Sequence, residues 1–187
     1  IGLVNAIRAE KGRPRCDVFW NNEVVNTVRL KKEGLLEQFR PAAATAFPIG
    51  FRDPDGYWNG FAARARVLIV NTNLVPAGAE PDSIFSLADP RWKGRTGIAK
   101  PLFGTTATHA ASLFSVLGPD RTREFFQSLR GNGVSIQSGN KTVALSVSAG
   151  ALAFGLTDTD DAIIEVESGK PVKIVYPDGK ADQLGTL

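Results

Sequence analysis

The chain has 187 residues, 43% of them hydrophobic and 22% charged, a composition that fills one globular domain or two small lobes and excludes a disordered chain. Its 22 basic and 19 acidic residues leave a formal net charge of +3 without a run of Lys or Arg, a weak bias that suits a small anionic solute and excludes nucleic-acid binding through a polybasic tract. The single cysteine, Cys16, excludes an intrachain disulfide and a cysteine metal cluster, and no apolar stretch reaches the roughly 18 to 20 residues that cross a bilayer as a helix.

Residues 1–11 place Leu3, Val4 and Ile7 at helical spacing with no capping residue before Ile1, so a helix starting upstream is expected. Gly185-Thr186-Leu187 stops as an apolar segment opens and methionine is absent; the expectation is an internal piece of a longer protein, with no signal-peptide pattern visible in it. Gly12 and Pro14 break the helix, and residues 16–20 (CDVFW) are expected as a short buried strand running into Asn21, Asn22 and Glu23. Polar residues at a strand end mark the place where α/β folds bind ligands. Residues 24–36 carry Val24, Val25, Val28, Leu35 and Leu36 in a helical pattern interrupted or ended near Gly34. An Ala-rich loop covers 41–48, and Asp53-Pro54-Asp55-Gly56 is a turn in which Pro fixes φ and Gly accepts positive φ.

The strongest strand signal is 60–72 (GFAARARVLIVNT), with Arg64 and Arg66 on one face and a continuous apolar run over 67–70. A compact turn at 89–94 (DPRWKG) leads into a strand at 96–99 and then Lys100-Pro101-Leu102-Phe103-Gly104-Thr105-Thr106. Helices at 106–117 and 120–130, a strand at 134–137, a helix at 140–149, a buried strand at 151–156, a helix at 160–168 closed by Gly169 and a strand at 172–176 complete the pattern. The alternation predicts an α/β fold with mostly parallel strands.

Three polar segments follow predicted strands. In the first, Trp20 to Glu23, an Asn either caps the next helix or contacts a ligand. In the second, Gly104-Thr105-Thr106, backbone N–H groups and two hydroxyls at a helix start suit an anion as well as a plain threonine cap, without the spacing of a nucleotide-binding P-loop. In the third, Thr157-Asp158-Thr159-Asp160-Asp161, an acidic first helical turn explains Asp160 and Asp161. The three carboxylates together also suit a hard cation or an ammonium group, outside the calcium-loop pattern. Arg64 and Arg66 are forked donors for carboxylate, phosphate or carbonate, although arginines on a strand face more often reach solvent. His109, the sole histidine, is expected to be structural, and Cys16 has Arg15 beside it but no histidine near in sequence to make it a nucleophile.

The succession Gly2-Leu3-Val4-Asn5, Asp17-Val18-Phe19-Trp20, Gly34-Leu35-Leu36, GFAARARV from Gly60, LADPRWKG from Leu87, PLFGTT from Pro101 and GLTDTDD from Gly155 resembles the ferric-iron-type solute-binding proteins of ABC importers, in order across essentially the whole chain. The resemblance implies a type II periplasmic-binding-protein-like α/β fold, two α/β lobes with a hinge, lacking N- and C-terminal parts. Lobe 1 would cover 1–80 with the crossover strand 60–72, lobe 2 would cover 81–170, and 171–187 would return towards lobe 1. The implied function is not enzymatic. A periplasmic or extracytoplasmic binding protein captures a small anion or an iron(III)-type metal–anion complex and delivers it to a membrane permease, with no cofactor beyond the transported cation and its synergistic anion, no nucleic-acid partner and no membrane insertion.

Carried over by position, Asn22, with Trp20 and Glu23 beside it, falls at or next to an acidic iron ligand. Gly104, Thr105 and Thr106 match the loop that holds the synergistic anion, and Asn140 falls at a further anion contact. Thr157, Asp158, Thr159, Asp160 and Asp161 occupy the place of the paired tyrosines that bind ferric iron, with Asp160 and Asp161 as metal candidates. The two tyrosines of this chain, Tyr57 and Tyr176, lie elsewhere. Either carboxylates replace the phenolates, or the solute is another small anion such as an organophosphonate. Two alternatives stand beside this reading: a thiamine-pyrimidine-synthase-like enzyme, for which His109 and Cys16 are the available reactive groups, and the effector-sensing domain of a transcription regulator.

Overall fold

The computed structural model describes residues 2–102 and 104–177, and the chain divides into two compact units, Ile1–Ala63 and Arg64–Leu187. In the first unit, α1 (Gly2–Ala9) and α2 (Val24–Lys32) are joined and followed by irregular chain, with 3-10 turns at Ala42–Ala46 and Ile49–Phe51. The expected strand over 16–20 does not form: Val18 and Trp20 are exposed rather than buried. An extended segment gains little without a neighbour to take its backbone hydrogen bonds, and the described residues of this unit offer a single isolated bridge, Arg52 to Asn59.

Helix α2 ends at Lys32, close to the expected stop near Gly34, for a reason visible in the backbone. Gly34 takes φ +67°, the Gly34 N–H bonds the Lys31 carbonyl, and the Leu35 N–H reaches back to the Leu30 carbonyl, each at 3.0 Å. This pair of bonds closes a helix through a left-handed glycine. Arg8 on α1 donates to both carboxylate oxygens of Glu33 at 2.7 and 2.6 Å. Lys31 donates to both oxygens of Asp53 at 2.7 and 2.9 Å and to Asp55 at 2.8 Å, with its ammonium 5.1 Å from the centre of the Tyr57 ring.

The second unit is built on a five-stranded sheet: β1 (Arg66–Asn71), β2 (Thr96–Ala99), β3 (Ser135–Gln137), β4 (Phe154–Asp158) and β5 (Val172–Val175), in the order β3-β2-β4-β1-β5. Strand β2 is parallel to β3 and β4, whereas β1 is antiparallel to β4 and β5. The sheet is therefore mixed. Helices α3 (Gly104–Val116) and α4 (Pro119–Gly131) carry the chain from β2 to β3, α5 (Asn140–Ser148) from β3 to β4, and α6 (Thr159–Glu167) from β4 to β5. Such helical crossovers keep those four strands in one direction. From β1 to β2 the chain passes only the 3-10 turns Ile84–Ala88 and Pro90–Trp92, and β1 runs against its neighbours.

Strand β1 is shorter than the expected 60–72 but buried along its whole length. Leu68 and Val70 pack with Ile98, Leu113, Phe125, Leu129, Phe154 and Leu156, while Val67 and Ile69 pack with Ala144, Val147, Leu152, Ala162 and Val172. Cover on both faces explains the unbroken apolar run. The expected strand over 151–156 is displaced to Phe154–Asp158, because pairing with β1 continues through Val67 opposite Thr157 and Arg66 opposite Asp158. Of the expected return over 171–187, β5 is present, and residues 178–187 lie outside the described residues.

Candidate functional site

Because β2, β3 and β4 run in the same direction, their carboxyl ends meet at one edge of the sheet. The chain leaves each of them into a helix, so the amino ends of α3, α5 and α6 gather there, with their free N–H groups and positive dipole ends. Strand β1 runs the other way and brings its first residue, Arg66, to the same edge. The carboxyl edge of such a sheet is the usual ligand position of α/β folds.

Five side chains at this edge form a closed hydrogen-bonded network. Arg66 Nη1 donates to Asp158 Oδ1 at 2.6 Å and to Asn140 Oδ1 at 2.9 Å. Thr105 Oγ1 donates to Asp158 Oδ2 at 2.5 Å. Asn140 Nδ2 donates to Asp158 Oδ2 at 2.9 Å and to Thr105 Oγ1 at 3.0 Å, and Thr106 Oγ1 donates to Asn140 Oδ1 at 3.1 Å. Thr157 Oγ1 ties the start of α5 to β4 through the Asn140 carbonyl at 3.0 Å. Arg66 and Asp158 are 1% and 3% exposed, so this is a buried ion pair. Burial pulls the Arg66 guanidinium below its ordinary value, with the Asp158 charge opposing. Of the Arg66 nitrogens, Nε and Nη2 are buried without a hydrogen-bond partner.

Beside the network lies a wetter acidic group. One carboxylate oxygen each from Asp158, Asp160 and Asp161 lie within 4.8 Å of one another. Asp160 accepts from Arg64 Nε at 2.8 Å through Oδ2, while its Oδ1 is buried without a hydrogen-bond partner. Desolvation, with the neighbouring charges of Asp160 and Asp158, holds the Asp161 carboxyl above the ordinary aspartate range, against Arg64 and Lys141. A carboxylate held in that way is stabilised by an added cation. Thr159 faces β1: its Oγ1 accepts from the Ala65 N–H at 3.2 Å and its own N–H bonds the Ala65 carbonyl at 3.1 Å.

The second unit thus brings together Thr105, Thr106, Asn140, Thr157 and Asp158 in one network, and places Asp160 and Asp161 with Arg64. Gly104, with φ +54°, opens α3 without adding a side chain. Trp20, Asn22 and Glu23 belong to the first unit. There the Glu23 side chain caps α2 by accepting from the Val25 N–H at 2.8 Å and the Asn26 N–H at 3.2 Å. The Asn22 N–H bonds Asn21 Oδ1 at 3.0 Å, and Trp20 packs edge-on against Phe61. Arg66 corrects the expectation that a strand arginine reaches solvent. Its buried role had a signal in the sequence, since it heads the apolar run that is covered on both faces. His109 is buried in α3, Tyr57 is engaged with Lys31, and Tyr176 is exposed beyond β5.

The chain is 29% identical over 157 residues to iron uptake protein A2 of Synechocystis sp., covering 83% of this chain and 44% of that protein. It therefore spans less than half the length of that relative. Among solved structures it is similar to iron-bound HitA from Pseudomonas aeruginosa, with a TM-score of 0.87 at 26% identity over 99% of this chain and 61% of that one. It is also similar to the periplasmic binding protein AfuA from Actinobacillus pleuropneumoniae with fructose-6-phosphate bound, with a TM-score of 0.78 at 25% identity over 100% of this chain and 60% of that one. These structures share the periplasmic-binding-protein fold expected from the resemblance. A family model for bacterial extracellular solute-binding proteins matches residues 20–180, and the chain belongs to that family.

Proposed function

We propose that this chain is the solute-capturing component of an ABC import system, that its solute is of the ferric-iron type, and that it hands the solute to a membrane permease from the periplasmic or extracytoplasmic side without chemical change. The observation that carries the reading is the grouping of the Asp158, Asp160 and Asp161 carboxylates within 4.8 Å at the amino end of α6, on the ligand-bearing edge of the sheet. A hard cation prefers such oxygen donors. The names of the Synechocystis and Pseudomonas relatives support the same solute class. Asp160 and Asp161 are the cation ligands in this reading, Arg64 orients Asp160, and Thr105, Thr106 and Asn140 hold the loop ends in place.

Titration of Fe(III), supplied as its nitrilotriacetate complex, into the wild-type chain and into the Asp160→Asn and Asp161→Asn variants tests it. Wild type should bind, and each variant should bind at least about tenfold more weakly. Unchanged affinity in both variants would remove the carboxylates from the site. A second reading, a small phosphorylated solute, is favoured by the idle Nε and Nη2 of Arg66 and by the similarity to a structure holding fructose-6-phosphate. A sugar phosphate in the same titration separates the two.

A further inference from the structure

An anion site needs donors that the chain itself leaves free, and at this edge three of the side-chain donors are taken. The Arg66 Nη1, Thr105 hydroxyl and Asn140 amide, the groups that an external carbonate or phosphate would use, all donate to the two oxygens of Asp158, at 2.6, 2.5 and 2.9 Å. Asp158 also stands at the position immediately before α6, where an aspartate ordinarily accepts from the helix's first N–H groups. Here it makes no such bond. Its side chain is turned away from its own helix and into the donor cluster of α3, α5 and β1.

We infer that Asp158 is a built-in anion: it fills the position that a free anion would take, so that this chain, on the ferric-type reading above, binds a cation that brings no separate anion to these donors. Three physical arguments converge. The carboxylate is nearly fully buried, 3% exposed, against an equally buried guanidinium, so the pair is already neutral and a second anion would meet the Asp158 charge in a poorly screened place. A tethered carboxylate loses no translational freedom on seating itself, whereas a free anion does. The cross-strand register that sets Arg66 opposite Asp158 fixes the geometry before any solute arrives. Among the described residues, the idle edge of Arg66, Nε and Nη2, and the helix-start N–H groups are the places left for a free anion, and the test addresses them.

The test uses thermal melts of the 187-residue chain without metal, in acetate, bicarbonate or inorganic phosphate balanced with chloride at constant ionic strength. A bound anion raises the melting temperature by mass action. The wild-type melt should be the same in all four salts. The Asp158→Gly variant, which opens the space, should melt lower and recover in acetate and bicarbonate, whereas Asp158→Asn, which keeps the bulk, should not recover. In Fe(III) titrations the wild-type affinity should be independent of bicarbonate. A wild-type melting temperature that climbs with bicarbonate or phosphate, or a wild-type Fe(III) affinity that rises about tenfold with bicarbonate, would overturn the proposal. Should Asp158→Gly fail to fold, the wild-type melts and titrations decide the matter alone. A wild-type chain that takes no Fe(III) sinks the ferric reading, while the metal-free melts still decide the role of Asp158.

Discussion

Gly155 sits in β4 directly opposite Gly97 of β2, and its missing side chain sets how near α5 lies to the sheet. A Cβ at Gly155 would meet Val143 Cγ1 at 2.4 Å and the Gly97 carbonyl oxygen at 2.8 Å. The first atom belongs to α5 and the second to a backbone held by the β2–β4 ladder, so neither yields by rotating a flexible chain end. Gly155→Ala should therefore cost the upper part of the range for overpacking, about 3 kcal/mol, or about 6 to 12 °C in melting temperature for a chain of this length. Gly97→Ala is the control. Its Cβ would meet Leu152 Cδ1 at 2.6 Å, the far end of a side chain that can swing aside, and about 1 kcal/mol is expected. The two variants also differ at the carboxyl edge of the sheet, where the proposed site lies. Lifting α5 off the sheet withdraws Asn140 from Asp158 and Thr105, so Gly155→Ala should weaken Fe(III) binding as well as stability, and adding Val143→Ala should restore part of both. Melting and titration of the three variants check the chain of reasoning; a Gly155→Ala protein no less stable than Gly97→Ala would refute it.

The Arg66–Asp158 pair, with side chains 0% and 4% exposed, should behave as a coupled unit: Arg66→Met strands a buried carboxylate and should cost about 3 to 5 kcal/mol, while the Arg66→Met/Asp158→Leu double variant should cost less than the sum of the singles in urea unfolding. Additive costs would show that the two do not stabilise one another. In the first unit, burial opposes the ionisation of Asp53, but the Lys31 ammonium and the Tyr57 N–H outweigh it and hold the carboxyl below its ordinary range. A depressed carboxyl adds stability above its unfolded value and loses it as pH falls through the folded value. Urea midpoints followed by tryptophan fluorescence should therefore drop below about pH 4 in wild type, and more shallowly in Lys31→Met; equal slopes would sink the assignment.

The second unit was legible because its signals are local. The helices start and stop within two residues of the sequence reading, since Pro119, Gly139 and Gly169 punctuate them, and the run in β1 is apolar because both its faces are covered. Direction was not legible. An apolar strand reads the same up or down, and the reversal of β1 comes from the turns at Ile84–Ala88 and Pro90–Trp92 standing where a helical crossover would keep it parallel. The expectation for 16–20 failed for a related reason. Val18, Phe19 and Trp20 carry strand propensity, but propensity records a fit to a neighbouring pleated surface, and the described residues of the first unit supply none.

At the carboxyl edge of the sheet, the structure joins three of the segments that the sequence singled out, with partners that the sequence did not show. Thr105, Asn140 and Asp158 were each weighed against an outside ligand or a helix cap, because spacing along the chain cannot show that β2, β3 and β4 end at one edge. Once the sheet sets Arg66 opposite Asp158, the chemistry of the segment 157–161 separates by burial. Asp158 accepts three hydrogen bonds, one of them from the buried Arg66 guanidinium, which occupies most of its acceptor positions. Asp160 and Asp161 remain half-buried, the first with a free Oδ1 and the second held above its ordinary range. Burial and the charges of its neighbours hold the Asp161 carboxyl up, and on the proposed reading an added cation would relieve that cost. Two adjacent aspartates with nearly the same sequence context as Asp158 thus stand in a different environment, and the difference comes from which of the three residues the β1 register draws into the sheet.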